Sequence, residues 1–482
     1  MFIIIVWRMK LSAENHLAMG AGGTLPAGKG DRAPSGPHRM PDRLDIRGRD
    51  YDAAGLRSLV APGWIHSAVY TDAKIFDLEL ERIFHTGWLF IGHESEIAKT
   101  GEFKRRQMGR QPVIFVRGQD GEIRVFLNRC RHRGAIVCEV DEGRDSFFRC
   151  WYHGWTYSNA GELVSVSGPD GYGPSFDASE NGLTPVPRVE NYRGFIFAAL
   201  SEKVLPLEDY LGNAAKVIDI LVDAAPGGEL SVRAGFNRTI YKGNWKQVGM
   251  DGYHPLFVHA SVLATWERHT DSGHSLGATH SANPFDFDGI SETRDFGHGH
   301  TMLDFRKHRL KHSGKYRALL ENTPGGADYI DALYAEHDVA WADMLLAMAG
   351  DPHVGVFPNL QLINNQIRIV NPLSVDETEV VMFPVLFSNV STEINALRLR
   401  QHESFYGPAG SGSTDDAEIF ERVQLGLEAN LDPWINISRG MEREWVDEDG
   451  TIVGHVSDEV PQRAQIRQWL AMMAEESPDG RR

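Results

Sequence analysis

The spacing of apolar residues changes character along the chain. Across residues 51–85 it is helical, with Ile75, Phe76, Leu78, Leu80 and Ile83 as the apolar positions. From Trp88-Leu89-Phe90-Ile91-Gly92 the pattern shortens to strands. Residues 112–117 and 123–127 are β-prone runs separated by Gly118-Gln119-Asp120-Gly121, which predicts a hairpin. One more strand over 191–200 closes this zone, so residues 87–199 read as a small all-β module inserted between helical flanks. Beyond it the pattern mixes. Residues 207–221 read as a helix, with Pro206 suited to its start. Residues 230–239, 354–358 and 379–387 read as strands, and so does the alternation of Gln366 and Arg368 with Ile367 and Ile369. Residues 390–403 and 414–428 read as helices. The expectation is an α+β protein: a β module placed before a domain built on an antiparallel sheet with helices on it. The expected division is 1–45 as a disordered or wrongly assigned N-terminus, 46–86 as a helical flank of the larger domain, 87–199 as the β module, 200–470 as the larger domain and 471–482 as a tail.

Composition narrows the class. A chain of 482 residues with 42% hydrophobic residues can bury a sizeable core in two or three domains. The net charge of −17 argues against nucleic acid and anionic membranes as partners. The apolar start, Met1 to Trp7, is far too short to span a bilayer. Arg8 and Lys10 follow it, the wrong order for a signal peptide. Residues 20–44 have a disordered composition, and Met9, Met19 and Met40 are alternative starts. Three cysteines and no secretion signal point to the reducing cytoplasm, not to a disulfide framework.

Those cysteines carry the chemistry. Cys130-Arg131-His132 and Cys150-Trp151-Tyr152-His153 are two tight pairs separated by seventeen residues. Two thiolates on one iron and two imidazoles on the other make a Rieske [2Fe–2S] centre, and Cys130, His132, Cys150 and His153 are its candidate ligands. Zinc is the alternative, but Cys2His2 zinc sites usually pair Cys with Cys and His with His. Neutral imidazoles leave the cluster less negative, which raises its potential and suits it to accept single electrons. Gly134 and Gly154 follow the two loops and leave room for backbone N–H groups to approach the sulfurs. Trp151, Trp155 and Tyr157 are read as packing that shields the cluster. Cys138 is read as a small buried hydrophobe. The runs Asn128–Ala135 and Cys150–Tyr157 closely resemble the Rieske loops of aromatic-ring-hydroxylating oxygenases, large subunit.

A second constellation runs from Asn244-Trp245-Lys246 through Asp251 to His254 and His259. Two histidines near a carboxylate could form the two-His-one-carboxylate triad of mononuclear non-haem iron, which leaves positions open for O2. Five residues span about 500° of an ideal helix, so His254 and His259 would not share a face. Pro255 breaks the helix after His254 and lets His259 turn back. The string also resembles the iron-binding segment of the same oxygenases. That resemblance implies His254 and His259 as iron ligands, and Asp251 as the bridge from His254 to His153 of a neighbouring subunit. One departure is visible: many relatives carry a Glu-Asn pair and extra residues where this chain has only Gln247-Val248-Gly249-Met250. It bears on substrate orientation, not on metal binding.

The third ligand must come from far away. In residues 413–424 Asp416 shares a helical face with Phe420, Val423 and Leu427, while Asp415 lies about 100° off it. An inward Asp is costly unless paired or metal-bound. Ser413 is the expected helix cap. The family's third ligand lies in a late Asp-Asp-x-Glu-x-aromatic run whose second Asp matches Asp416. The remaining signals are bland. Residues 407–412 are a loop and not a phosphate cradle, and His298, His300, His308 and His312 read as a solvated loop and helix.

Across residues 50–450 the resemblance implies the α subunit of a Rieske non-haem iron dioxygenase with a helix-grip catalytic domain. It implies electrons from NADH through a reductase, often with a ferredoxin, and attack of O2 on an aromatic ring. It implies a head-to-tail trimer, with or without a small β subunit. No nicotinamide or flavin fingerprint is present in the chain itself. A Rieske monooxygenase or O-/N-demethylase is the alternative enzyme, and an electron carrier without oxygenase activity the alternative of another class.

Overall fold

The computed structural model describes residues 40–42, 44, 51–250, 290–350, 352–410 and 412–474. Asp251, Pro255, His254 and His259 lie outside the described residues, as does most of 1–45.

The N-terminal flank is broken where one helical stretch was expected. Ala53–Arg57, Ala68–Thr71 and Ala73–Glu79 are short helices, and a hairpin of Val60–Ala61 and Trp64–His66 interrupts them. Gly63 makes that turn at φ +76. Asp52 and Asp72 cap two of the helices by accepting from Gly55 and Lys74 N–H.

The β module contains the expected hairpin. Gln111–Arg117 pairs antiparallel with Ile123–Leu127 and with Glu102–Met108. A second sheet joins Phe147–Arg149, Thr156–Ser158 and Leu163–Ser165. A third joins Leu89–His93 to Arg188–Tyr192 and Phe195–Ala199, so the single closing strand is in fact a hairpin. Arg193 and Gly194 turn it, both at positive φ. Phe103, Ile114, Phe126, Phe148, Trp155 and Tyr157 form a separate small core directly under the two Cys–His loops.

The larger domain is built on nine antiparallel strands. Their order is Asn237–Tyr241, Glu377–Pro384, Gln366–Ser374, Leu360–Ile363, His353–Val356, Thr301–Asp304, Glu292–Asp295, Ile452–His455 and Trp445–Val446. The middle strands are buried on both faces because helices and the N-terminal flank cover the sheet. The helix expected over 207–221 is two helices, Leu207–Leu211 and Asn213–Asp223, divided by Gly212. The helix Val460–Ala474 buries Ile466, Trp469 and Met473. Arg57 donates to its terminal Ala474 carbonyl at 3.1 Å, and Arg82 donates to the Met473 carbonyl. The β module is fastened to the sheet by Asn359, whose amide accepts from Phe90 N–H at 2.9 Å and donates to Phe90 O at 3.0 Å.

Candidate functional site

The two Cys–His loops are built alike. Cys130 N–H donates to Ala135 O at 2.8 Å, and Gly134 N–H returns to Cys130 O at 2.9 Å. Cys150 N–H donates to Trp155 O at 2.8 Å, and Gly154 N–H returns to Cys150 O at 2.9 Å. Closing each loop needs a left-handed residue at the fifth position, supplied by Gly134 (φ +75) and Gly154 (φ +70). The glycines therefore serve loop closure, with their own N–H groups spent on the cysteine carbonyls. Asn128, fully buried, zips the first loop by accepting from Val137 and Cys138 N–H and donating to Cys138 O.

The loops bring the four predicted side chains together. Cys130 and Cys150 are both buried and unbridged in the same small core, and Cys130 is near enough to raise the Cys150 thiol. The His132 and His153 ring centroids are 4.7 Å apart. Burial pushes the Cys150 thiol up, partly offset by the N–H groups of Tyr152 and His153 that face its sulfur. A second sulfur partner is the Tyr157 hydroxyl, 3.1 Å from Cys130 Sγ and held by Arg131 N–H. Tyr157 was expected only to pack, and nothing in its local sequence reveals this bond. Trp155 is buried and stacks on His132 at 5.0 Å and 8°. Trp151, expected to pack, is 84% exposed.

These residues fit a cluster. His132 Nδ1 is buried without a hydrogen-bond partner among the described residues, which leaves it short of a ligand or donor. Two neighbouring buried sulfurs are stable as thiolates only beside a cation. Among the described residues no three His, Cys, Asp or Glu side chains converge on one ion. The loops offer pairs, and each iron of a [2Fe–2S] centre takes two protein ligands.

On the catalytic side, Asp416 is buried, in a stripe with Phe420 and Gln424 along the helix Ser413–Gly426, and Asp415 is half-buried. Val423 and Leu427, expected on that stripe, are half-buried. The cap is Gly412, and Ser413 is the first helical residue with its hydroxyl toward Met382 Sδ, so the expected serine cap is absent. The short helix Trp245–Met250 leads into the run holding Asp251, His254 and His259. It rests on Glu79, which is fully buried. Glu79 accepts from Lys246 Nζ at 2.6 Å, Trp469 Nε1 at 2.6 Å and Trp245 Nε1 at 2.8 Å.

The late histidines, expected in a solvated loop and helix, are only partly solvated. His300 is fully buried, its Nε2 2.8 Å from Tyr210 O and its Nδ1 accepting from Phe357 N–H at 3.1 Å. His308 is also buried, while His298 is exposed. Cys138 is buried as expected, with its thiol pushed up to about 12 by desolvation.

A β module holding paired Cys–His loops, joined to a nine-stranded antiparallel sheet, defines a Rieske-type oxygenase subunit. Residues 87–177 match the Rieske [2Fe-2S] domain, and residues 207–474 match the ring-hydroxylating alpha subunit catalytic domain. The chain belongs to the ring-hydroxylating dioxygenase α-subunit family and is an oxidoreductase. It is 36% identical to the toluate 1,2-dioxygenase α subunit of Pseudomonas putida, over 79% of this chain and 82% of that one. It is 41% identical to the N,N-dimethyl phenylurea N-demethylase α subunit of a Sphingobium strain, over 42% of this chain and 45% of that one. Its structure is similar to naphthalene 1,2-dioxygenase from Rhodococcus sp. (TM-score 0.73, 27% identity), covering 88% of this chain and 98% of that one. Membership implies an iron–sulfur cluster and a non-haem iron. No described helix is long and apolar enough to cross a membrane.

Proposed function

We propose that this chain is the terminal oxygenase α subunit that dihydroxylates an aromatic ring, with aromatic acids the first substrates to try. The observation that carries the reading is the pairing of Cys130 with Cys150 and His132 with His153 inside a chain that also matches the ring-hydroxylating domain. The similarity to the toluate enzyme favours a carboxylated ring. The N-demethylase similarity favours a second reading, oxidation of an N-methyl group.

Cys130, Cys150, His132 and His153 hold the [2Fe–2S] cluster, and His254, His259 and Asp416 hold the mononuclear iron. Bound there, the cluster supplies single electrons and the iron supplies O2 activation. Tyr157 donates to the Cys130 sulfur and holds that loop closed. Trp155 fixes the His132 ring plane by stacking. Asp251 would accept the His254 ring N–H, fixing the tautomer, and would serve as the bridge to His153 of a neighbouring subunit. The assembly is a trimer in the cytoplasm, served by a reductase with or without a ferredoxin and drawing on NADH. The domains divide near residues 87 and 199.

Iron and acid-labile sulfide per chain test the composition: three irons and two sulfides are expected. Two irons would leave an electron carrier. Product analysis against benzoates, aromatic hydrocarbons and N-methyl arylureas decides the substrate. A cis-dihydrodiol from a benzoate supports the first reading, and formaldehyde release from an arylurea supports the second.

A further inference from the structure

We propose that three buried glutamines, Gln361, Gln424 and Gln465, are positioning residues. They fix the helix Trp245–Met250 and, through it, the entry of the chain into the iron ligands His254 and His259. The inference rests on the reading of those histidines as ligands.

Six residues do not make a stable helix alone, since isolated helices shorter than about 12 residues are marginal in water. The last carbonyls of any helix also lack intrahelical partners. Here side chains from three distant elements supply the bonds. Gln424, on the Asp416 helix, accepts through Oε1 from Asn244 N–H and from Gln247 Nε2, both at 3.1 Å. Gln361, on the central strand Leu360–Ile363, donates to Val248 O at 2.7 Å. Gln465, on the C-terminal helix, donates to Gly249 O at 2.7 Å. The three side chains therefore hold the helix at its start and at the carbonyls of its fourth and fifth residues.

Two features tie this clamp to the metal. Only four residues separate Gly249 from His254, so a shift at Val248 or Gly249 has little chain in which to dissipate before the first ligand. Gln424 lies two turns beyond Asp416 on one buried stripe, so the same amide links the helix of one ligand to the helix leading to the other two. Gly249 is part of the device: a Cβ there would lie 2.4 Å from Gln465 Oε1 and would push the amide off its carbonyl.

The test measures the Fe(II) dissociation constant of full-length protein with its cluster intact and its mononuclear iron removed, by competition with a chromophoric chelator. Gln361→Met and Gln465→Met should weaken Fe(II) binding about 10–100-fold, the usual effect of losing a group that orients metal ligands. The cluster absorption should not change. Gly249→Ala should also weaken binding, although Ala favours a helix over Gly by intrinsic propensity, so a merely structural role would raise stability and leave the metal alone. Asn359→Leu serves as the control, because it removes two buried amide bonds away from this helix and should lower the melting temperature with Fe(II) affinity unchanged. Wild-type affinity in Gly249→Ala and the glutamine variants, or a loss in Asn359→Leu as large as theirs, overturns the proposal. His254→Ala is measured in parallel: if it keeps wild-type affinity, the ligand reading itself has failed, which is a separate result.

Discussion

Replacing Glu79 with Leu should be among the most damaging changes available outside the metal ligands. Glu79 is fully buried and accepts three N–H bonds, from Lys246, Trp245 and Trp469. These tie the N-terminal flank, the helix before the iron segment and the C-terminal helix to one carboxylate. Burial pulls the Lys246 ammonium below its usual range, and Glu79 opposes that pull. Removing the carboxylate strands a buried cation, which costs about 3–5 kcal/mol. Two buried indole N–H groups also lose their acceptor, at about 1–3 kcal/mol each, although these terms overlap and Lys246 can shed its proton. A net loss of about 4–6 kcal/mol is expected. Lys246→Met added to Glu79→Leu should recover part of it, because replacing a buried pair by apolar groups is often nearly neutral. The two indole donors should keep the double variant below wild type. Urea titration followed by Trp fluorescence reads the midpoint and slope for wild type, both single variants and the double. A Glu79→Leu loss under about 1 kcal/mol, or a double variant worse than Glu79→Leu, would refute the account of Glu79 as a shared acceptor.

Three further predictions follow the same logic. His132→Ala or Cys150→Ala should abolish the Rieske absorption and electron-resonance signal, and a normal spectrum in either would remove that residue from the ligand set. Asp416→Ala should lose the mononuclear iron while keeping the cluster spectrum; if Asp415→Ala loses it instead, Asp415 and not Asp416 is the third ligand. His300 is held near pKa 3 by burial, with Tyr210 O opposing the shift. The unfolded chain therefore binds a proton that the folded one does not, so stability is complete above about pH 6.5 and falls as pH drops toward 3. Between pH 6 and 5 wild type should lose more stability than His300→Gln, by up to about 1.4 kcal/mol per pH unit, and equal slopes in urea melts would count against it.

How much of this was legible in the sequence follows contact distance along the chain. The cluster loops could be read because all four side chains lie within residues 130–153, and each loop closes on itself through a glycine at its fifth position. The inward placement of Asp416 could be read because helical period alone sets which neighbours share its face. The hairpin at 111–127 followed from turn chemistry. Where local signals compete, the reading slipped. Gly212 split a helix, Arg193-Gly194 folded one strand into two, and Ser413 entered the helix it was expected to cap.

What only the tertiary structure decided is which distant polar groups meet. Glu79 finds Lys246 and Trp469 across 167 and 390 residues. Tyr157 looks like any strand aromatic until the fold brings its hydroxyl to Cys130. His300 looks exposed in a Gly-His run, yet the packing of Tyr210 and Phe357 supplies both of its hydrogen bonds. Gln361 and Gln465 carry no local pattern at all. A periodic pattern reports only whether a side chain faces in or out. The partner that makes burial of a polar group tolerable is fixed by the packing of whole elements, and that information is spread over the entire chain.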